Sequence, residues 1–368
     1  MKKSDIYFYG DSAPLNVKTE IELLSLITAN KNDAEIDVHD QYCIGGAVAE
    51  LEAYFARLLD KECAYFLPTG TLANHLAVRR LASRWSTVLV SEQSHLYQDS
   101  GQAVEQLSGL KLQPLAPNQA YFDQDQLYQA VEQLKRVRVP VPIDCISIES
   151  PVRRHHGVAM PIELMQTIRT FCLQENIKMH LDGARLLMLC AARRHALTDY
   201  TRLFDSVYIS LYKYLGAPFG AILAGSKSDL KNLEHERRMF GGSLNQAALS
   251  ALLALHQTPL FLDQIKQAFI KADDLFEAQN CQNVWRLQWL ENGSNILILK
   301  ISETVPSIAD FDVEKFRAAL AKQRIWLKAS ENKQQSLFFL TLNTSFLNQT
   351  NDEIIEAFNE SYRFAIKK

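Results

Sequence analysis

Short apolar runs alternate with longer amphipathic stretches as far as Met239. The runs Cys63–Leu67, Thr87–Val90, Leu110–Leu115, Cys145–Glu149, Ile177–Leu181, Ser206–Ser210 and Ala221–Ala224 are short and mostly apolar, which predicts strands buried on both faces. Between them, Thr71–Ala82, Gln124–Leu134, Pro161–Glu175 and Leu230–Met239 carry apolar positions at helical spacing. Strand and helix in repeated succession is the pattern of parallel β-α units, whose open sheet is covered by helices on both faces. The chain is therefore expected to be an α/β protein whose large domain holds a mostly parallel seven-stranded sheet between helices.

The pattern changes after a helical stretch at Asn245–His256. Two strands, Trp285–Leu290 and Ile296–Ile301, precede a helix at Val313–Lys322, a strand-like segment at Ser336–Leu342 and a last helix from Asp352. This predicts a smaller C-terminal α+β domain. The expected division is 1–245, including an N-terminal arm, and 246–368. No internal repeat, low-complexity tract or Pro-, Gly- or Ser-rich linker is present.

Composition narrows the class. A chain of 368 residues with 47% hydrophobic content can bury one large core and a smaller one. A net charge of −3 provides no basic footprint for nucleic acid and points to small metabolites as partners. The six cysteines form no CxxC pair, and Met1-Lys2-Lys3-Ser4-Asp5 lacks the apolar core of a signal peptide, so a reducing, cytoplasmic location is expected. No apolar run approaches the roughly 20 residues of a membrane span. Neither a metal site nor a nucleic-acid or membrane partner is expected.

The candidate chemistry centres on Lys213, within Ser206–Gly220, and on Asp182, within His180-Leu181-Asp182-Gly183-Ala184-Arg185. Their separation leaves room for one helix and one strand, which returns the chain to the same sheet edge, where open parallel sheets bind ligands. A carboxylate at one strand end and a lysine at another are what pyridoxal 5'-phosphate requires. The amine forms a Schiff base with the aldehyde, and the carboxylate keeps the pyridine nitrogen protonated so that the ring takes up electrons from a substrate carbanion. Asp182 could instead cap a helix starting near Ala184, and Lys213 could be an exposed strand-end lysine. The apolar and aromatic neighbours Leu211, Tyr212 and Tyr214 favour a desolvated amine. Thr69-Gly70-Thr71, between a predicted strand and helix, can bring backbone N–H groups, a helix dipole and two hydroxyls to a phosphate; it could equally be an ordinary helix cap.

With these motifs stand Leu67-Pro68-Thr69-Gly70-Thr71 with Asn74, Ser94-His95-Leu96-Tyr97, Phe204-Asp205-Ser206-Val207, Lys213-Tyr214-Leu215-Gly216-Ala217-Pro218, and Arg238-Met239-Phe240-Gly241-Gly242-Ser243 through Gln246. In this order and spacing, from about Tyr42 to Ala247, the chain resembles the threonine aldolase and aromatic amino acid β-eliminating lyase family, a branch of the fold type I pyridoxal phosphate enzymes. The resemblance implies a transferase-like large domain and a lyase that cleaves the Cα–Cβ bond of a β-hydroxy-α-amino acid to glycine and an aldehyde. β-Elimination, or cofactor binding without turnover, are the alternatives. It also implies a small amino-acid substrate and a homodimer or homotetramer, with Tyr42 and Asn245 near the shared interface.

Carried over by position, the family's catalytic roles fall on Lys213, Asp182 and His95. Cofactor contacts fall on Thr69, Gly70, Thr71, His95, Asp182 and Lys213, with His95 covering the ring. Substrate contacts fall on Arg185, which would grip the α-carboxylate, and more loosely on Tyr42 and Glu149, as well as Tyr97. His95 could instead be structural, Arg185 a surface residue, and Tyr42, Tyr97 and Glu149 packing or capping groups. The chain also departs from the family. Glu149-Ser150-Pro151-Val152-Arg153 replaces Glu-Asn-Thr-His-Asn, so Val152 is expected beside the substrate hydroxyl where relatives carry a histidine. Either His95, His155 or His156 would then reach the hydroxyl from a different direction, or the chain is a slow threonine aldolase whose better substrate leaves by another path. Asn245 and Phe339 stand where arginines are usual. Arg153 and Arg154 either bring charge to a phosphate or carboxylate, or form a solvated loop.

Overall fold

The computed structural model describes residues 4–14, 16–29, 40–279, 284–301, 311–328 and 337–366. A short strand, β1 (Ile6–Tyr7), is followed by α1 (Val17–Ala29) and α2 (Gly46–Leu58). Then come β2 (Cys63–Leu67), α3 (Gly70–Leu81), β3 (Thr87–Ser91), α4 (His95–Gln98), α5 (Ala103–Ser108), β4 (Lys111–Leu115), α6 (Gln124–Lys135), β5 (Ile143–Glu149) and α7 (Ile162–Glu175). The series continues with β6 (Lys178–Asp182), α8 (Leu186–Arg193), α9 (Leu197–Thr201), β7 (Ser206–Ser210), β8 (Ala221–Gly225) and α10 (Leu233–Met239).

Seven strands form one sheet in the order β2-β8-β7-β6-β5-β3-β4. Pairing is parallel from β4 through β7, and β8 runs antiparallel to both of its neighbours. All seven expected strands are present, each within two residues of its expected ends. Every residue of β3, β7 and β8 is buried, as strands covered on both faces require. α3 packs through Ala73, Leu76 and Ala77 into a cluster with Leu67, Tyr208, Ala221 and Leu223, which sets its first turn over the carboxyl ends of the central strands. α2 is additional to the predicted helices, although its buried Ala47, Val48, Leu51 and Phe55 keep helical spacing.

The packing divides the chain into two units, Asn16–Thr258 and Met1–Leu15 with Pro259–Lys368. This differs from the expected division at 245/246 at both ends. The N-terminal segment joins the C-terminal unit because β1 pairs in parallel with β11 (Ile325–Trp326) and Asn343 Nδ2 donates to the carbonyl of Tyr7 at 2.9 Å. At the other end, the helix expected over Asn245–His256 is α11 (Ala248–Gln279), which continues through Pro259. An interior proline costs about 3 kcal/mol. Phe261, Ile265, Ala268, Ala272 and Leu275 keep one apolar face beyond it, all at most 4% exposed, and their burial offsets that cost.

The smaller unit holds the antiparallel sheet β12-β10-β9, made of Leu337–Thr341, Ile296–Ile301 and Trp285–Trp289, with α12 (Val313–Lys322) and α13 (Asn351–Ala365). Phe8, Trp285, Phe316, Phe346 and Phe358 fill its core. It is the expected α+β arrangement; Ser336 lies outside the described residues. Among the described residues no helix is long and apolar enough to cross a membrane.

Candidate active site

The register of the central strands builds the floor of the site. Glu149, Asp182 and Tyr208 are Cα partners across β5, β6 and β7, so their side chains leave the sheet on the same face at one level. They line a cavity of about 360 Å³ within the larger unit. Thr69, Gly70 and Thr71 enter it from the start of α3, His95 from the start of α4, Arg153 from the turn after β5, Arg185 from the start of α8, and Lys213 from the turn after β7. Chain segments separated by most of the sheet thus converge at its carboxyl edge, the ligand-binding edge of such folds.

Asp182 is 3% exposed and is held at both carboxylate oxygens. Oδ1 accepts the backbone N–H of Ala184 at 3.2 Å, and Oδ2 accepts Asn74 Nδ2. Asn74 Oδ1 in turn faces His180 Nε2 at 3.0 Å, and His180 Nδ1 faces Ser206 Oγ at 2.8 Å. Because the Asn74 amide donates to Asp182, its oxygen must accept, which places a proton on His180 Nε2 and leaves Nδ1 to accept from Ser206. Burial lowers the pKa of His180 to about 4, so the ring stays neutral in this chain of contacts. Helix α8 starts at Leu186 with Arg185 at its N-cap, so Asp182 is not the cap of that helix.

Glu149 is 5% exposed and accepts two backbone N–H groups, from His95 at 2.5 Å and from Arg153 at 2.9 Å. Burial first, and then the charge of Asp182, raises its pKa; the two N–H donors and Arg185 act in the opposite direction. Glu149 therefore holds a proton more readily than an exposed glutamate. His95 lines the cavity, and its Nδ1 is buried with no hydrogen-bond partner among the described residues. Burial, followed by the charge of Asp182, also raises the Tyr208 pKa, keeping the phenol neutral. Lys213 is half-buried, with its Nζ 5.6 Å from the centre of the Tyr212 ring.

The start of α3 has the shape of an anion cradle. Thr69 is the N-cap, its Oγ1 accepting Leu72 N–H at 3.1 Å. A Cβ on Gly70 would lie 2.0 Å from the Tyr208 hydroxyl, so no larger residue fits there without displacing Tyr208. Free N–H groups at the start of a helix favour a phosphate. With a buried carboxylate, a lysine and a histidine lining the same cavity, the residues fit pyridoxal phosphate.

Other expected residues fall elsewhere. Val152 is fully buried, with its N–H donating to Val158 O at 2.8 Å and its carbonyl accepting from Gly157; it does not line the cavity, because the turn points this apolar side chain inward. A histidine at 152 would enter the core rather than reach a substrate. Tyr42 is 51% exposed, with its ring under the Arg238 guanidinium at 5.3 Å, and neither it nor Tyr97 lines the cavity. His155 and His156 sit on the turn after β5, outside the cavity lining; His95 is the histidine within it. Asn245 is exposed, and Phe339 lies on β12 of the other unit. Sequence reasoning missed Tyr208, Phe219 and Pro68 as lining residues, as well as Asp99, which pairs with Arg153 and Arg154. Only the strand register, invisible in a single chain of letters, aligns Tyr208 with Asp182.

The model of the beta-eliminating lyase family matches residues 27–285. The low specificity L-threonine aldolase of Saccharomyces cerevisiae is 31% identical over 213 residues, which are 56% of this chain and 53% of the yeast protein. The chain thus spans about half the length of that relative. The low-specificity L-threonine aldolase of Candida albicans is 25% identical over 290 residues, 75% of this chain and 74% of its own. In the solved structure of the Leishmania major threonine aldolase, the fold agrees with a TM-score of 0.72 at 20% identity, covering 98% of this chain and 100% of the other.

Proposed function

The chain belongs to the beta-eliminating lyase family, and on that premise we propose that it is a pyridoxal phosphate-dependent lyase that cleaves the Cα–Cβ bond of a β-hydroxy-α-amino acid to glycine and an aldehyde. The observation that carries the reading is the convergence of Lys213, Asp182, His95, Arg185 and the Thr69–Thr71 turn on one cavity. When bound, the cofactor supplies an electron sink for the carbanion left at Cα. Thr69, Gly70 and Thr71 would hold its phosphate, Asp182 its ring nitrogen, His95 the ring face and Lys213 the aldehyde carbon.

The remaining work belongs to the side chains. Arg185 takes the substrate α-carboxylate through its guanidinium fork, which fixes the orientation of the amino acid. Cleavage requires a base for the β-hydroxyl proton, and a positioned one is typically worth about 10²–10⁴-fold. His95 and Glu149 are titratable groups of the cavity wall suited to that proton, and the backbone N–H of His95 donates to the Glu149 carboxylate. Glu149, with its raised pKa, can also return a proton as Cα is reprotonated.

Five free thiols among the described residues support a reducing, cytoplasmic setting. α1 buries none of its side chains and exposes Val17, Ile21 and Leu26, which supports a homodimer or homotetramer that covers it. The test is aldehyde release from L-threonine, L-allo-threonine and phenylserine by cofactor-loaded protein, with Lys213→Ala as the control. The parent should form aldehyde, and Lys213→Ala should lose it by orders of magnitude. In the parent, borohydride reduction should leave the pyridoxyl label on Lys213. A label on another lysine removes that assignment, and release of ammonia and a keto acid alone makes the protein a β-eliminating lyase instead.

A further inference from the structure

Arg153 is a cavity-lining cation that the proposed reaction leaves unused. Its backbone is pinned at the start of the 3-10 turn Arg153–His155, where its N–H donates to Glu149 Oε1 at 2.9 Å. Among the described residues its guanidinium makes one hydrogen bond, from Nη2 to Asp99 Oδ2 at 2.5 Å. Asp99 is shared, because Arg154 Nη1 reaches its other oxygen at 3.3 Å. One carboxylate therefore lies between two guanidinium groups, and the site keeps a surplus positive charge. Nε and Nη1 of Arg153 make no hydrogen bond to the described residues, so most of the fork is open to a second carboxylate.

We infer that Arg153 is a specificity-determining residue and that the preferred substrate carries a second carboxylate on its side chain, as in β-hydroxyaspartate. The inference rests on the proposed reading of the cavity, in which Arg185 takes the α-carboxylate and the start of α3 takes the cofactor phosphate. Arg153 is then the guanidinium left for the far end of the substrate. Asp99 acts as a positioning residue that holds the fork at the cavity mouth without saturating it. Cleavage of such a substrate balances: Cα–Cβ breaks, the hydroxyl proton leaves as the C=O forms, Cα regains a proton, and glycine and glyoxylate are the products. An apolar β-substituent would leave the open guanidinium edge without an anion, which is the physical basis for discrimination.

The test compares cofactor-loaded parent and Arg153→Gln in two ways. Calorimetry measures the affinity for L-aspartate relative to L-alanine, which requires no Cα–Cβ cleavage. Kinetics measures kcat/KM for β-hydroxyaspartate relative to phenylserine. The parent should prefer the dicarboxylic ligand in both, and Arg153→Gln should reduce each ratio by about 10- to 100-fold, the scale of a hydrogen-bonded ion contact. Equal affinities in the parent, or ratios that survive the substitution, overturn the inference. It is also overturned if both ligands weaken together or if cofactor uptake falls, since Arg153 would then serve the α-carboxylate or the phosphate. A lost aspartate preference in Arg153→Gln, with no aldehyde from any substrate in the parent, supports Arg153 as the side-chain site while removing the lyase reading.

Discussion

Asp182 receives one hydrogen bond at each oxygen, and the Asn74 amide that supplies one of them is itself oriented by a neutral histidine. Asn74 and His180 are both fully buried, so this chain of donors fixes where the carboxylate points rather than merely solvating it. A carboxylate beside a ring nitrogen holds a proton there by charge; an amide of the same shape does not. Asp182→Asn should therefore lower turnover by at least about 100-fold while the protein remains folded. Asn74→Leu should lower kcat more than it raises KM, because it releases the orientation of Asp182 without touching substrate. Steady-state kinetics of both variants, with circular dichroism as the folding control, checks the pair. Parental kcat in Asp182→Asn would move the proton-holding role to another residue.

At the scale of elements, the site depends on how closely α3 approaches β7. Gly70 begins the helix directly against Tyr208, and an added Cβ would lie 2.0 Å from its hydroxyl and 2.5 Å from its ring carbon Cζ. The Tyr208 side chain is 2% exposed and packed in the cluster under α3, so it has little room to retreat. Gly70→Ala should then either push the helix start outward or displace Tyr208. Overpacking of this kind costs about 1–3 kcal/mol. The expected outcome is a lower midpoint of chemical denaturation together with weaker pyridoxal phosphate retention in dialysis. Loss of stability alone, with cofactor uptake unchanged, would separate the start of α3 from the phosphate.

The molecule as a whole carries buried groups that titrate in opposite senses. His180 and His75 are held at about 4 by burial, so the folded state refuses protons that the unfolded chain accepts below about 6.5, and stability falls as pH drops through that window. Glu52 is raised to about 7, chiefly by burial, so the folded state takes up its proton first and stability rises as pH drops from about 7 toward 4.5. The single glutamate offsets only part of the contribution of the two histidines over that range. His180→Gln removes one of the histidine contributions. Its deficit in Tm relative to the parent should therefore shrink between pH 7 and pH 5, as measured by thermal denaturation at both values. A deficit that grows toward pH 5 would mean that His180 is protonated in the folded protein.

The alternation of apolar runs with helical periodicity was enough to place seven sheet strands, because strands buried on both faces must be apolar nearly throughout. The order of the short motifs likewise singled out Lys213, Asp182, His95, Arg185 and the Thr69–Thr71 turn, which line one cavity, since each combines a special residue type with a strand or helix end. Long-range pairing decided the rest. β1 pairs with β11, which assigns this N-terminal strand to the unit that holds Pro259–Lys368, and the apolar face of α11 carries the helix through a proline. The sharing of Asp99 by two arginines depends on contacts between residues distant in sequence. So does the alignment of Glu149, Asp182 and Tyr208 across three strands. A local pattern records which residues must be buried or cap an element; which of them meet is set by strand register and packing, which no local pattern contains.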